Sequence, residues 1–431
     1  MKFKLSIHNN EKQLIPKQGI NCFLFAEWYN GIARGGEHML FLYIACDNIF
    51  MFKDFFLDFT YERKISHYLA TDDTIFPNSQ INVRKKMLIL GGNASGKTTF
   101  GVLMCAINNY IMNVPVTNSR VNLYNAIYDR TKESYFMTEF VIDDNAYRVY
   151  CKFNKQGIIE EYLKKVKVYK SYNIKKLRSV LDDAPFICEY HNYKQDETIT
   201  NTEIFMSSML GEVDSYIKEA GSKVAFHYLF SNYSNQTAQN KINVGVDVLN
   251  NILPGIDNSV DKVVSLNPSD KELSTNSYLI VFKNGSQITI PEGDLTFSQK
   301  DRLSHGTYEA LTFLNVLQEL KTRPDATLYI DEKLPHLHAE LEAFLIMKAL
   351  LIKRSAQVFF TSHNSELLDL NVPNNAFLLF KRCKEGFNKA MFVSQTLNKN
   401  DRSVRNYYEN DYFGVLPDYS ALDQYFEDIV S

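Results

Sequence analysis

Gly91-Gly92-Asn93-Ala94-Ser95-Gly96-Lys97-Thr98-Thr99 is the stretch that decides the reading of this 431-residue chain. It fits the phosphate-binding pattern GxxxxGK(S/T), with Gly91, Gly96, Lys97 and Thr98 at the required positions. A short apolar run, Met87 to Leu90, precedes it and follows the basic residues Arg84, Lys85 and Lys86. An apolar stretch from Phe100 to Met112 comes after it, long enough for about three helical turns. The order predicts a strand, a glycine-rich loop and a helix. In that setting the glycines let the backbone of Gly91 to Thr99, Asn93 included, curl its N–H groups toward one anion at the helix N-terminus. Lys97 can then reach the β- and γ-phosphates of a nucleotide, and the Thr98 hydroxyl can bind Mg2+. A glycine-rich turn ahead of a core helix is the bland alternative, and the flanks on both sides favour the phosphate loop.

The length is great for one domain and suggests a large domain carrying an insertion. Apolar residues make up 45% and aromatic residues 13%, enough for a sizeable core. With 47 basic and 50 acidic residues the net charge is −3, so no global basic field attracts nucleic acid. Cys22, Cys46, Cys105, Cys151, Cys188 and Cys383 are scattered without a CxxC pair and read as reduced thiols. No apolar run approaches the roughly 20 residues of a membrane span. The N-terminal MKFKLSIHNNEKQ has no apolar signal core. A cytoplasmic, soluble chain is expected.

Five segments are expected along the chain. Residues 1–38 form an N-terminal extension, in which Trp28 sits among Phe23, Phe25 and Tyr29. Residues 39–170 hold two antiparallel strands, the phosphate loop and then a meander with turns at Asp144-Asn145 and Gln156-Gly157. Residues 171–240 read as a helical insertion, on the amphipathic spacing of Ile204, Met209, Val213 and Ile217. In 241–397 a helix stopped by Pro254-Gly255 leads to a strand near Lys262 to Leu266 and a hairpin turning at Asn284-Gly285. Further on come a helix from Tyr308 to Leu320, the strand ATLYI, a helix from Ala339 to Lys353, the strand AQVFF and two more strands. This alternation argues for a sheet with parallel strands that carry ligands at their carboxyl ends. Residues 398–431 form a tail that is polar and then aromatic.

A phosphate loop needs an acidic partner for its metal. The strand ATLYI ends in Asp331 and Glu332, which suit a Mg2+ ligand and a general base that polarises water. His363, at the end of AQVFFTSH, is placed to hydrogen-bond a γ-phosphate. In RLSHGTYEAL, Ser304 and Gly306 open a helix, so that a hydroxyl and N–H groups face an anion. The same residues also read as an ordinary helix start, with Ser304 capping and Glu309 in the first turn. His336 and His338 make an HxH pair, but no acidic or cysteine ligand at matching spacing completes a metal site.

The order of these pieces resembles the ABC-type ATPase heads. Phosphate loop, long gap, SHGT, YIDE, LPHLHAE and FFTSH is similar to the prokaryotic members related to the SMC, RecF and OLD proteins. The meander TEFVIDDNAYRVYCKFNKQGIIEEYL and the segment YYENDYFGVLP resemble the stand-alone, AbiLi-like anti-phage ATPases of abortive infection and PARIS-like systems. The resemblance implies an α/β fold: a P-loop ATPase head with a mixed sheet, a strand-rich lobe and a helical insertion. It implies that Gly91, Asn93, Gly96, Lys97, Thr98, Thr99, Ser304 and Gly306 bind ATP, and that Thr98 and Asp331 hold Mg2+. Glu332 and His363 would then be catalytic, and Ser304 and Gly306 would touch the γ-phosphate of a nucleotide held by a second subunit. Leu337-His338 fall where the family has Leu-His-Pro, with Ala339 replacing the proline, and no residue matches the glutamine of the Q-loop.

What the resemblance implies for function is an ATP-binding and ATP-hydrolysing sensor and scaffold of an anti-phage system. It would act as a homo-oligomer of ATP-sandwiched dimers, holding or releasing a separately encoded effector such as a Toprim-type nuclease. The chain has no nuclease signature of its own. The rival expectation is a RecF- or SMC-like repair ATPase clamping duplex DNA, against which the near-neutral charge speaks.

Overall fold

The computed structural model describes residues 39–111, 122–191, 226–230, 242, 244–266, 277–295, 302–332, 334, 337–397, 403–416 and 420–430. The expected extension with Trp28, the amphipathic run 201–221 and His336 lie outside these residues. In chain order come β1 (Met39–Asp47), β2 (Phe55–Asp58), β3 (Thr60–Tyr61), β4 (Asn82–Val83), β5 (Lys86–Leu90) and α1 (Lys97–Ile111). Next are β6 (Ser134–Ile142), β7 (Asn145–Asn154), β8 (Gly157–Lys167), α2 (Ile174–Asp183), β9 (Phe186–His191) and β10 (Phe226–Phe230). Then follow α3 (Val246–Ile256), β11 (Val260–Ser265), β12 (Tyr278–Phe282), β13 (Gln287–Ile290), α4 (His305–Thr322), β14 (Thr327–Asp331) and α5 (Ala339–Leu350). The chain closes with β15 (Val358–Ser362), β16 (Phe377–Arg382), β17 (Asn388–Phe392), α6 (Val404–Glu409) and α7 (Ser420–Val430).

Two compact units result. The described residues of one fall within Ala33–Asn235, Pro324–Glu332 and Arg354–Ser431, and those of the other within Gln236–Arg323 and Lys333–Lys353. The first unit holds two six-stranded sheets. One runs β10-β14-β15-β5-β16-β17, parallel from β10 to β16 with β17 antiparallel at the edge. Its inner strands are buried on both faces, as strands covered on both sides are: all five residues of β14 and of β15 are buried. The other sheet, β2-β1-β6-β7-β8-β9, is antiparallel throughout. Gln357 joins the two, accepting from Phe41 N at 2.9 Å and donating to the carbonyls of Phe41 and Arg84 at 3.1 and 3.0 Å.

Phe100, in the first turn of α1, anchors the helix in an aromatic core. Its ring lies 5.4 Å from Phe380, 5.9 Å from Phe55 and 6.2 Å from Tyr329. The glycine-rich loop before α1 is therefore fixed from behind by packing.

The second unit pairs α3 and α4 with the antiparallel sheet β11-β12-β13. Asn250 of α3 holds β11 through its amide, which donates to Val263 O at 2.8 Å and accepts from Val263 N at 2.6 Å. The hairpin at Asn284-Gly285 is as expected: Phe282 pairs with Ser286, and Gly285 takes φ 82°.

Several local readings shift. The meander turns lie one residue earlier than read, because Asn145 pairs with Ile142 and Gly157 with Asn154. The loop residues are Asp143-Asp144 and Lys155-Gln156, and Asp143 accepts the left-handed conformation at φ 53°. Helix α3 runs through Pro254 to Ile256, since a proline in the last turn gives up only one backbone bond. Among the described residues of 171–240 are helix α2, strand β9 of the antiparallel sheet and strand β10 of the parallel one, and the run on which the helical insertion was expected lies outside them. Arg84 is buried, its guanidinium 3.9 Å from the ring centre of Phe392 and bonded to the carbonyls of Asn375, Asp58 and Thr60.

Candidate active site

Three parallel neighbours, β14, β15 and β5, end level. Asp331 pairs with Thr361 and Ser362 with Leu90, so the carboxyl edge gathers Asp331, Ser362 and the start of the phosphate loop. The loop requires its glycines. A Cβ at Gly91 would stand 2.3 Å from the carbonyl oxygen of Phe380. Gly96 takes φ 106°, and a Cβ there would stand 2.4 Å from Nδ2 of Asn388. Ala94 also lies in the left-handed region, at φ 57°. Helix α1 begins at Lys97, so its N-terminal N–H groups belong to the loop.

Lys97 is 3% exposed, and its ammonium donates to the carbonyls of Gly91 and Gly92 at 2.8 and 3.2 Å. Glu332 Oε1 lies 3.7 Å from Lys97 Nζ and 2.7 Å from His363 Nε2. A carboxylate only accepts, so Nε2 of His363 carries the proton toward Glu332. Nδ1, 3.2 Å from Lys97 Nζ, is then the nitrogen that accepts from the lysine. Burial pushes the Lys97 ammonium down to about 8, against the opposing pull of Glu332 and Asp331. The hydrogen bond from His363 holds the Glu332 carboxyl below its ordinary value; burial opposes this, and the charge of Lys97 reinforces it.

Asp331 is 1% exposed and accepts a hydrogen bond from the Thr361 hydroxyl. The same Thr361 oxygen accepts from Glu332 N at 3.1 Å. Glu332 itself sits at φ 45°, a strained conformation for a side chain of its size. Tyr329 completes the frame by donating to Lys97 O at 2.6 Å.

Lys97, Asp331, Glu332 and His363 are thus brought to one edge with Gly91 and Gly96, and Asn93, Thr98 and Thr99 follow from the same loop and helix start. Ser304 and Gly306 belong to the other unit. There Ser304 caps α4, its Oγ accepting from Thr307 N at 3.0 Å. The helix starts at His305, three residues before the expected Tyr308, because this cap satisfies its first turn.

No family model and no curated protein matches the chain. Among solved structures it is similar to the Smc head domain from Pyrococcus furiosus with an extended coiled coil bound to the C-terminal domain of ScpA. That likeness has 10% identity and a TM-score of 0.43, over 84% of this chain and 98% of that one. It is similar also to the SMC head domain from Thermotoga maritima, at 12% identity and TM-score 0.36, over 82% and 98%. The recombination mediator RecF with ATP gives 13% identity and TM-score 0.36, over 84% and 100%.

The site's own donor set fits a nucleotide phosphate with Mg2+. Mg2+ keeps few protein ligands and binds phosphate oxygens and water besides. The buried Asp331 at a strand end and the Thr98 hydroxyl in the first turn of α1 are oxygen ligands of the kind that habit calls for. Among the described residues no group of three or more His, Cys, Asp or Glu could form an all-protein cage. No described helix is long and apolar enough to cross a membrane. Thr361 and Tyr329 were not singled out by sequence. Their signal was faint: a threonine and a tyrosine inside apolar strands.

Proposed function

We propose that the chain binds and hydrolyses ATP as a head of the ABC type. The convergence of Lys97, Glu332 and His363 on one oxygen-rich strand edge carries this reading. Lys97 is the only lysine or arginine of the loop, and it turns from the Gly91 and Gly92 carbonyls to the β- and γ-phosphates. Asp331 and Thr98 would hold Mg2+, which would neutralise charge on the phosphate oxygens. Glu332, kept ionised by His363, takes the proton of the attacking water. In the nucleotide-bound state His363 turns its one Nε2–H from Glu332 to the γ-phosphate. Ser304 and Gly306 act on the nucleotide of a second copy, so two chains sandwich ATP.

Its role is that of a sensor and scaffold in an anti-phage system, with a separately encoded effector, a nuclease, as the toxic component. Support comes from the exposed Tyr425, Phe426 and Ile429 on α7, side chains that suit a partner surface.

The test uses two substitutions and one mixture. Lys97→Ala abolishes nucleotide binding, whereas Glu332→Gln keeps binding and traps ATP. Ser304→Arg mixed with Lys97→Ala restores part of the ATPase activity through one intact site per mixed dimer. Hydrolysis by Glu332→Gln at the wild-type rate would sink the assignment of the base. Pull-down from cells expressing the native operon tests the effector, and recovery of the protein alone counts against the scaffold role.

A further inference from the structure

We propose that Asp257 is a positioning residue for Ser304, acting through the hydroxyl of Thr307. The inference rests on the reading of Ser304 as a phosphate contact. Asp257 ends α3, where its N–H bonds back to Leu253 O. One carboxylate oxygen accepts from Ser259 N at 2.9 Å and Ser259 Oγ at 2.5 Å. The other accepts from Oγ1 of Thr307, which is 1% exposed.

The protons in this chain of groups can be assigned. Burial raises the Asp257 carboxyl, but the hydrogen bonds from Ser259 and Thr307 outweigh it and leave the group below its ordinary value. An ionised carboxylate only accepts, and Thr307 has a single hydroxyl proton, so that proton goes to Asp257. The 2.6 Å contact between Ser304 Oγ and Thr307 Oγ1 must then be a bond that Ser304 donates. Ser304 Oγ also accepts from Thr307 N at 3.0 Å. The serine hydroxyl is therefore held at both ends, on the N-terminus of α4, before any ligand arrives.

Engaging a phosphate oxygen needs only one exchange. Ser304 turns its proton from Thr307 Oγ1 to the phosphate, while Thr307 keeps its bond to Asp257 and Ser304 keeps the N–H of Thr307. No buried polar group is left without a partner. Without the carboxylate, the Thr307 proton turns on Ser304 itself or on a backbone carbonyl, and the serine loses its fixed direction. Preorganisation of this kind acts on turnover rather than on binding to the chain's own phosphate loop.

The experiment measures ATP turnover, binding of a fluorescent ATP analogue and melting temperature on the full chain. Its variants are Thr307→Val, Thr307→Ser, Asp257→Ala, Asp257→Asn and Ser304→Ala. Valine matches threonine in shape but lacks the hydroxyl, whereas serine keeps the hydroxyl and loses the methyl. Thr307→Val and Asp257→Ala are expected to lose about tenfold in kcat with analogue affinity unchanged. Thr307→Ser, which keeps the hydroxyl, is expected to retain near wild-type kcat, whereas Asp257→Asn, whose NH2 replaces the oxygen that accepts from Thr307, is expected to fall with Asp257→Ala. A role in packing alone gives the reverse order, valine tolerated and serine impaired, and overturns the inference. It falls equally if both carboxylate variants turn over normally while Ser304→Ala is inactive. Wild-type turnover in Ser304→Ala would instead remove the phosphate-contact reading on which the inference stands.

Discussion

Glu332 Oε1 stands 2.7 Å from His363 Nε2, and this hydrogen bond is the first cause of the lowered affinity of Glu332 for protons. A general base works when deprotonated, so the rate rises as pH climbs through its pKa. His363→Ala removes the main lowering influence. The acid limb of the kcat profile is expected to move to higher pH, toward the ordinary carboxylate range, and kcat at neutral pH to fall. An acid limb that stays in place, measured from pH 4 to pH 8 on the order of one-half unit apart, would separate His363 from Glu332.

Lys97 carries its charge below about 8. Phosphate binds the charged form, so nucleotide affinity is expected to weaken as pH rises through that value, with proton uptake on binding above it. Calorimetry in two buffers of different ionisation heat reads this uptake. The variant Lys97→Met should show neither the slope nor the uptake.

Gly96→Ala forces a Cβ against the Asn388 carboxamide, 2.4 Å from Nδ2, at a φ of 106° that side chains avoid. Loss of nucleotide binding is expected together with a stability cost of about 1–3 kcal/mol. A fluorescent ATP analogue and thermal melting check both parts, and Gly285→Ala, in an open hairpin turn with nothing within 4 Å of the new Cβ, serves as the comparison away from the loop.

Arg178 of α2 ties Asp58 and Glu139 together at 2.6 and 2.8 Å. Arg178→Ala leaves the buried Glu139 to Arg148 alone and is expected to cost about 2 kcal/mol, measured by denaturant unfolding. Asp58 has a pKa raised by burial but lowered further by its bonds to Arg178, so its net folded value lies below the unfolded one. The stability it contributes is present above the unfolded value and is lost as pH falls through the folded one. The variant should therefore lose less stability on acidification than the wild type.

The tail divides in two. Helix α6 is fastened to the segment just after His363, with Arg405 3.1 Å from Asp369 and Ser365 3.4 Å from Glu409, and Tyr408 and Phe413 are buried. Removing residues 405–431 strips that buried surface and is expected to lower the melting temperature by several degrees, on the order of 4 °C or more. Ending the chain after Leu416 leaves α6 in place and should not. Nucleotide binding by the shorter truncation tests whether a tail deletion can separate partner from nucleotide.

The amino-acid sequence by itself determined the elements whose signals are contiguous. Met87 to Leu90, the glycines of the loop and the apolar helix after them suffice for a strand, a glycine-rich loop and a helix, because φ at Gly96 and the helix start are local properties. Asp331 and His363 were legible for the same reason, each following a short apolar strand. Tertiary structure alone decided which strands stand side by side. Nothing local to Phe226–Phe230 indicates a strand paired with Thr327–Asp331, about a hundred residues along the chain. The meeting of Lys97, Glu332 and His363, the Gln357 bridge and the carboxylate of Asp257 under Thr307 likewise depend on register between distant segments. Register is fixed by which faces can be buried together, and a single window of sequence does not contain the other face.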